Sequence, residues 1–399
     1  MTRLAEARAS ARRVAQVETF IVTVPRDTPY LGPLGPGEEV NARGYIVRKG
    51  NGTIYPTVDR SIAVRVTLDD GAQGWGETYG ICAPRATCEI INDLLAPVLM
   101  GRDPEDVEAL WDELYGLMRV RGCGSGFHGD AIAALDIALW DLRAQGRGLP
   151  LCQLICAQAA AKVPCYLSGL PAATLDERVR LACEWQAADI TAFKFAAVVS
   201  HEGVAAEFAA LRAALGPHAD IMADLHWKYS AAEAIALATQ LQAYRPRFLE
   251  APVKPEAIGE LAEVCRAFPG LIAAGEEWYT DYEAALRLSA AGVAVVQPEM
   301  GHTGVTQFAR IAALAGASGA LVAPHATIGT GIFLAASLHL SCTLPNLWQH
   351  EWQHSVFERN LALLDTDMAC AQGQYQVPRG PGLGVKPNAR FWDHAQLVT

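Results

Sequence analysis

Three carboxylates at equal intervals carry the strongest chemical signal in this chain. Asp224 ends the apolar run Ile221-Met222-Ala223. Glu250 ends Phe248-Leu249 and is followed by Ala251-Pro252, and Glu276 ends Ile272-Ala273-Ala274-Gly275. The interval suits one strand, one helix and two loops, since a βαβ unit takes about 30 residues or more. Parallel neighbouring strands would bring the three acids to one end of one sheet. Buried together they repel, and they cannot all ionise without a counter-charge. A hard divalent cation such as Mg²⁺ answers that need, because it binds through carboxylate oxygens and keeps positions open for water or substrate. Any one of these acids reads equally well as a solvated loop residue; three in even register favour the ion.

Other reactive side chains fall at the ends of similar apolar runs. They are Lys194, His226 two residues past Asp224, Glu299, His325 and Glu351. Charged groups at so many strand ends are costly unless they serve a site. Singly, His226 or His325 is as readily a satisfied structural histidine, and Lys194 a salt-bridge partner. Glu277 competes with Glu276 for the ligand role, and the Gly275-Glu276 step favours Glu276. His302, His339, His350 and His354 read as structural or peripheral.

The elements that would position these groups follow from periodicity. From about Val163, short strands alternate with alanine-rich helical segments: Val163–Leu167, Ala192–Ala196, Asp220–Asp224, Arg247–Glu250, Leu271–Gly275, Ala294–Pro298, Gly319–Pro324 and Leu347–Glu351. Thr174 is placed to cap the first helix. Eight such steps, with the last helix weak or replaced, point to a (β/α)₈ barrel whose site lies at the C-terminal strand ends. A doubly wound sheet is the alternative. It lacks a Gly-x-Gly-x-x-Gly turn or a phosphate loop here. Upstream, 17–24 and 61–68 read as strands, Asp69-Asp70-Gly71 as a hairpin turn, and Gly129–Gln145 as an apolar helix. That is an α+β unit. Between its first strands runs a Pro- and Gly-rich loop, from Pro25 to about Gly52. Its Arg43, Tyr45, Arg48 and Lys49, with Tyr55 just beyond, are candidates to cover a site and bind substrate, because so long a loop is usually functional or disordered. The expected organisation is an extension at 1–16, an α+β unit at 17–150, a barrel at 151–364, and a segment at 365–399 returning to the first unit.

Composition bounds the function. With 399 residues and a net charge of −11, the chain is a poor partner for nucleic acid or anionic membranes. No apolar run approaches the roughly 20 residues of a membrane span. Residues 1–16 are arginine-bearing without an apolar signal core, and read as a frayed helical extension in preference to a transit peptide. Ten cysteines without paired metal-ligand spacing fit reduced thiols in a cytoplasmic protein. A homo-oligomer is expected.

The set Lys194, Asp224, Leu249-Glu250-Ala251-Pro252, Gly275-Glu276-Glu277-Trp278, Glu299 and Ala323-Pro324-His325 resembles the mandelate racemase branch of the enolase superfamily. The helix Ala131–Asp141 followed by Gly148-Leu149-Pro150 is similar to that family's domain junction. The resemblance implies a modified (β/α)₇β barrel under an α+β capping domain completed by the C-terminal tail. It also implies one Mg²⁺ on Asp224, Glu250 and Glu276 that binds a substrate carboxylate and stabilises an enediolate. Two departures matter. Where racemases of this branch carry a second strand-two lysine as base, this chain has Ala196, and Glu299 replaces the usual aspartate partner of the strand-seven histidine. His226 resembles the leaving-group acid of galactonate dehydratases. The implied activity is dehydration of an aldonate or aldarate to a 2-keto-3-deoxy acid. His325 would be the base, Glu299 its orienting partner, His226 the acid, Lys194 the carboxylate's counter-charge and Glu351 a further hydrogen-bonding contact. A racemase, epimerase or cycloisomerase is the runner-up. A metal-holding scaffold without catalysis is the outside reading, and it has no need of a proton-transfer pair.

Overall fold

A computed structural model of the chain describes residues 12–29, 31–122, 124–326 and 329–399. Most of the expected N-terminal extension lies outside the described residues. Its end does not: β1 (Val14–Val24) begins inside it, because Val14 onward pairs with the strand facing it. β2 (Tyr45–Val47) and β3 (Ile54–Pro56) form a small hairpin inside the long loop. β4 (Asp59–Leu68) and β5 (Gln73–Tyr79) turn at Asp69-Asp70-Gly71 and pair antiparallel. Short helices α1 (Pro84–Glu89), α2 (Ala96–Leu99) and α3 (Val107–Leu117) lead to α4 (Phe127–Gly146), which is buried along most of its length.

α4 lies close on β5 because β5 offers glycines to it. A Cβ at Gly76 would sit 1.8 Å from the Ala134 carbonyl oxygen, so only glycine fits that contact. The acids of α4 act as stitches. Asp141 accepts from the backbone N–H groups of Trp75 and Leu383, at 2.9 and 2.8 Å. Asp136 accepts from the Thr306 N–H and hydroxyl, and Trp140 Nε1 donates to the same hydroxyl.

After α5 (Leu151–Ile155) come eight parallel strands: β6 (Lys162–Ser168), β7 (Ala192–Ala196), β8 (Asp220–Asp224), β9 (Leu249–Glu250), β10 (Ile272–Ala274), β11 (Val295–Val296), β12 (Leu321–Val322) and β13 (His350–Trp352). Each pairs with the next, β13 pairs back to β6, and a Val322–Leu347 bridge closes the ring. Between them lie α6 (Leu175–Ala187), α7 (Val204–Leu215), α8 (Ala231–Leu241), α9 (Ile258–Ala267), α10 (Asp281–Ala291), α11 (Met300–Ala317) and α12 (Ile332–Ser341). Capping boxes start α6, α8 and α10 at Thr174, Ser230 and Thr280, each with glutamate three residues on. The barrel interior is filled by Tyr166, Ala192, Met222, Phe248, Ala273, Val295 and Ala323. This apolar plug leaves the opposite, C-terminal strand ends for polar groups. The eighth strand is followed only by the short α13 (His354–Leu361). The chain then leaves the barrel through β14 (Leu364–Thr366), β15 (Ala369–Ala371), β16 (Gln374–Gln376), β17 (Val385–Pro387) and β18 (Ala395–Val398). β16 pairs with β6, and β18 adds an antiparallel strand beside β1, so the C-terminal end completes the N-terminal sheet. Among the described residues no helix is long and apolar enough to cross a membrane.

Candidate active site

The strand ends converge on one polar cluster at the mouth of the barrel. Lys194 on β7 reaches across to β9, with Nζ 2.9 and 2.8 Å from the two Glu250 carboxylate oxygens. It also lies 2.9 Å from Glu351 Oε1 beside β6. Burial alone would lower the lysine's pKa, but Glu250 and Glu351 raise it well above the ordinary value, so the ammonium is held charged. Glu351, although buried, is pulled well below the usual carboxylate range by Lys194 and His325. Its Oε2 accepts from the Ala326 N–H at 3.0 Å.

Glu299 and His325 form a dyad across adjacent strand ends, where their backbones bridge in parallel. Glu299 Oε2 is 2.7 Å from His325 Nδ1, while Oε1 accepts from the Gly301 N–H at 2.8 Å and caps α11. The extra methylene of glutamate is accommodated because the carboxylate spans both tasks. His325 Nε2 points to Glu276 Oε2 at 3.0 Å without hydrogen-bond geometry, and that oxygen is buried with no hydrogen-bond partner. Burial works against a charge on the imidazole, yet Glu276, Glu351 and Glu299 together raise its pKa well above the usual histidine value. Glu277 Oε1 accepts from Trp278 Nε1 at 3.1 Å, and its Oε2, like that of Glu276, is buried without a hydrogen-bond partner.

The carboxylates fit a hard cation in chemistry, with one qualification in placement. Burial raises the pKa of Glu276 well above normal against the pull of His325, and Asp224 and Glu250 add to the rise. That is the mutual repulsion a divalent ion relieves, and the orphaned Glu276 oxygen is a ready ligand atom. The tight donor group among the described residues is, however, Glu250, Glu276 and His325, whose ligand atoms lie within 4.8 Å of one another. Asp224 pairs with Glu250 in register but is engaged by His226. The His226 N–H donates to Asp224 Oδ1 at 2.9 Å, and the ring Nε2 lies 3.0 Å from Oδ2.

Strand alternation predicts that Asp224 and His226 share a face. They do meet, for a different reason. β8 stops at Asp224, and His226 and Trp227 take left-handed φ values of 50° and 53°, folding the ring back over the aspartate. Ala251, after Glu250, is left-handed too, at φ 46°. Such conformations are disfavoured for non-glycine residues and concentrate at functional sites.

A cavity of about 630 Å³ opens over the cluster and includes Lys194, Asp224, His226, Glu276, His325 and Glu351 in its walls. The long loop supplies Arg26, Thr28, Pro29, Gly32 and Tyr55 to it. Burial pushes the Tyr55 hydroxyl up to about 12, so it stays protonated. Arg43 and Tyr45 do not reach this cavity, contrary to expectation. Arg43 is exposed on the outer side of the loop, and the Tyr45 hydroxyl accepts from Arg60 Nη1 and the Ala83 N–H, both at 3.1 Å. Arg48 is buried within the loop against Glu38 and the Gly32 and Pro33 carbonyls. Sequence reasoning missed Gln297, whose Nε2 donates to Glu250 Oε2 at 2.7 Å. Its place two residues before Glu299, on the same strand face, was the available signal. It also missed Tyr79, His302, Gln353 and Arg359 in the cavity wall.

Residues 54–156 match the N-terminal domain of the mandelate racemase/muconate lactonizing enzyme family, and residues 177–391 match the enolase C-terminal domain-like family. The chain is 31% identical to a D-galactonate dehydratase of Ralstonia pickettii, covering 84% of this chain and 90% of that one. It is 29% identical to a D-galactarolactone cycloisomerase of Agrobacterium fabrum, over 82% and 89%. A solved enolase-superfamily structure from Agrobacterium tumefaciens superposes with a TM-score of 0.95, at 51% identity over 97% of this chain and all of that one. A mandelate racemase/muconate lactonizing protein from Paracoccus denitrificans, crystallised with magnesium, is 27% identical over 97% and 99%, with a TM-score of 0.81.

Proposed function

Because this chain belongs to the mandelate racemase branch of the enolase superfamily, we propose that it is an acid-sugar dehydratase, removing water from an aldonate or aldarate. The observation that carries the reading is the placement of two histidines at one cavity. His325 is aimed by Glu299, and His226 lies beside Asp224. Ala196 stands at the position where a second lysine would serve a racemase.

Asp224, Glu250 and Glu276 are the residues that would hold a Mg²⁺ ion, Asp224 by turning from His226. When bound, such an ion supplies a Lewis acid that lowers the energy of negative charge developing on the substrate carboxylate. Lys194 and Glu351 flank that carboxylate, the first as counter-charge and the second as hydrogen-bonding anchor for the 2-hydroxyl side. In its neutral form His325 is held as the Nδ1–H tautomer by Glu299, which leaves Nε2 to accept the C2 proton. Glu299 then stabilises the imidazolium. His226 gives a proton to the C3 hydroxyl, which leaves as water as the C2–H electron pair forms the C2=C3 bond. The enol product tautomerises to the 2-keto-3-deoxy acid. Tyr55 borders the cavity as a neutral hydrogen-bonding group.

The cycloisomerase relative keeps a second reading in view, and one feature favours it. Both His226 ring nitrogens lie against Asp224, Nδ1 at 3.3 Å from its carbonyl and Nε2 at 3.0 Å from its carboxylate. A His226 that stays there donates no proton to a leaving group. A screen of acid sugars by keto-acid release and by α-proton exchange in deuterated water separates the two. Keto acid supports dehydration; exchange or isomerisation without it supports the alternative. In a dehydratase, His226→Asn keeps α-proton exchange and loses water elimination by roughly the 10²–10⁴ typical of general acid catalysis.

A further inference from the structure

A second histidine–carboxylate pair lies in the same cavity, and the reaction above does not use it. His302 sits in the first turn of α11, three residues past Glu299. Its Nδ1 is 2.6 Å from Oδ1 of Asp130, a buried residue of α4. The rings of Tyr79 on β5 and Tyr279 before α10 lie 4.5 and 4.7 Å from its own. All four residues line the cavity that holds His325, Glu276 and Lys194.

We infer that His302 is a specificity-determining residue that hydrogen-bonds a hydroxyl of the acid sugar beyond C3, away from the carbons that react. This deepens the acid-sugar reading and rests on it. With Nδ1 committed to Asp130, the imidazole has one nitrogen left. Nε2 makes no hydrogen bond to a described residue. The His302 side chain is 22% accessible and lines the cavity, which places the free nitrogen to face that space. The carboxylate fixes the tautomer, and the flanking rings restrict rotation, so the free nitrogen has a set direction. A polyol chain needs such a group, since a hydroxyl both donates and accepts.

The competing role is a pin between the two parts of the fold. Asp130 comes from the N-terminal unit and His302 from the barrel. That contact already has its own fastening in Asp136, Thr306 and Trp140. A pin also gains nothing from leaving one imidazole nitrogen open to the cavity.

The test is calorimetric binding to Mg²⁺-loaded protein in a His325→Asn background, so that chemistry does not intervene. Two classes of probe are compared: six-carbon aldonates and aldarates, galactonate among them, and glycerate, which has the same carboxylate and 2- and 3-hydroxyls but no further carbon. Adding His302→Phe, which preserves the ring stack, is expected to weaken the best six-carbon acid about tenfold, the value of one good hydrogen bond. Glycerate affinity should not change. His302→Asn, which can keep a bond to Asp130, should give the same selective loss if the phenylalanine variant folds poorly. Equal weakening of both probes marks His302 as a structural pin and overturns the inference, as does no change in either. Six-carbon acids that fail to bind the background protein at all while glycerate binds would sink the acid-sugar reading itself, and this inference with it.

Discussion

Glu299 divides its two oxygens between a helix and a histidine, and that division yields a sharp prediction. In Glu299→Gln the amide oxygen can still accept from Gly301, so the cap on α11 survives. The amide NH₂ then faces His325 Nδ1 and favours the tautomer whose proton sits on Nε2, the nitrogen that must take up the substrate proton. We expect α-proton exchange to fall by roughly 10²–10⁴, the usual contribution of a positioned base, while the urea midpoint barely moves. Exchange near the wild-type rate would show that the dyad does not set the base. The residues of this cluster were legible because strand ends can be counted and each carries its reactive group forward. Arg43 and Tyr45 were misjudged because a loop has no period to tell in from out. Arg43, in the turn before the β2–β3 hairpin, is exposed, and the Tyr45 hydroxyl is committed to Arg60 and Ala83.

At the scale of elements, the segment after His325 is fastened by a residue far away in sequence. Glu77 on β5 is fully buried, and its carboxylate accepts from Thr330 Oγ1 and from the N–H groups of Thr330, Gly331, Ile332 and Phe333. A carboxylate at a helix N-terminus meets unpaired donors and the positive end of the dipole. Glu77→Leu should cost roughly 2–4 kcal/mol in urea unfolding, since those donors lose a charged partner in a dry site. It should also lower turnover by loosening the chain beside His325. An unchanged midpoint would mean the donors find water instead. β13 offers a pH-dependent counterpart. His350 is buried, with Nε2 2.8 Å from Ser337 Oγ and Nδ1 2.8 Å from the Glu351 carbonyl. Burial lowers its pKa to about 4, so the unfolded chain binds a proton that the native state refuses. The neutral ring's contribution is complete above about pH 6.5 and is lost as pH falls toward the folded value. The loss is on the order of 3 kcal/mol. His350→Gln should flatten the slope of unfolding free energy between pH 6.5 and 4.5, whatever its absolute stability. A slope equal to wild type would assign the acid sensitivity to other groups.

For the molecule as a whole, alternating apolar strands and alanine-rich helices made the barrel readable, because each strand buried on both faces must be a short apolar run. The start of β1 at Val14 was less readable. Its first residues have no pattern of their own, and only pairing with β4 defines them. The gathering of carboxylates was legible too, though not the turn at His226 that draws Asp224 aside. That gathering has a global consequence. Fold and site share the barrel, so repulsion among Asp224, Glu250 and Glu276 weighs on the stability of the entire metal-free protein. A ligand that binds only the native state stabilises it by mass action, by about 2.7 kcal/mol at a hundredfold excess over Kd. Adding Mg²⁺ to chelator-treated protein should therefore raise the melting temperature by several degrees. Glu276→Gln removes one charge from the cluster and one ligand from the ion. In chelator it loses both the repulsion from Asp224 and Glu250 and the attraction to His325, so the readout is the Mg²⁺ shift itself, most of which it should lose. Glu277→Gln, altering the carboxylate that turns to Trp278, should keep that rise. Equal Mg²⁺ shifts in wild type and Glu276→Gln would place the ion elsewhere, and a shift lost only in Glu277→Gln would exchange the roles of the two glutamates.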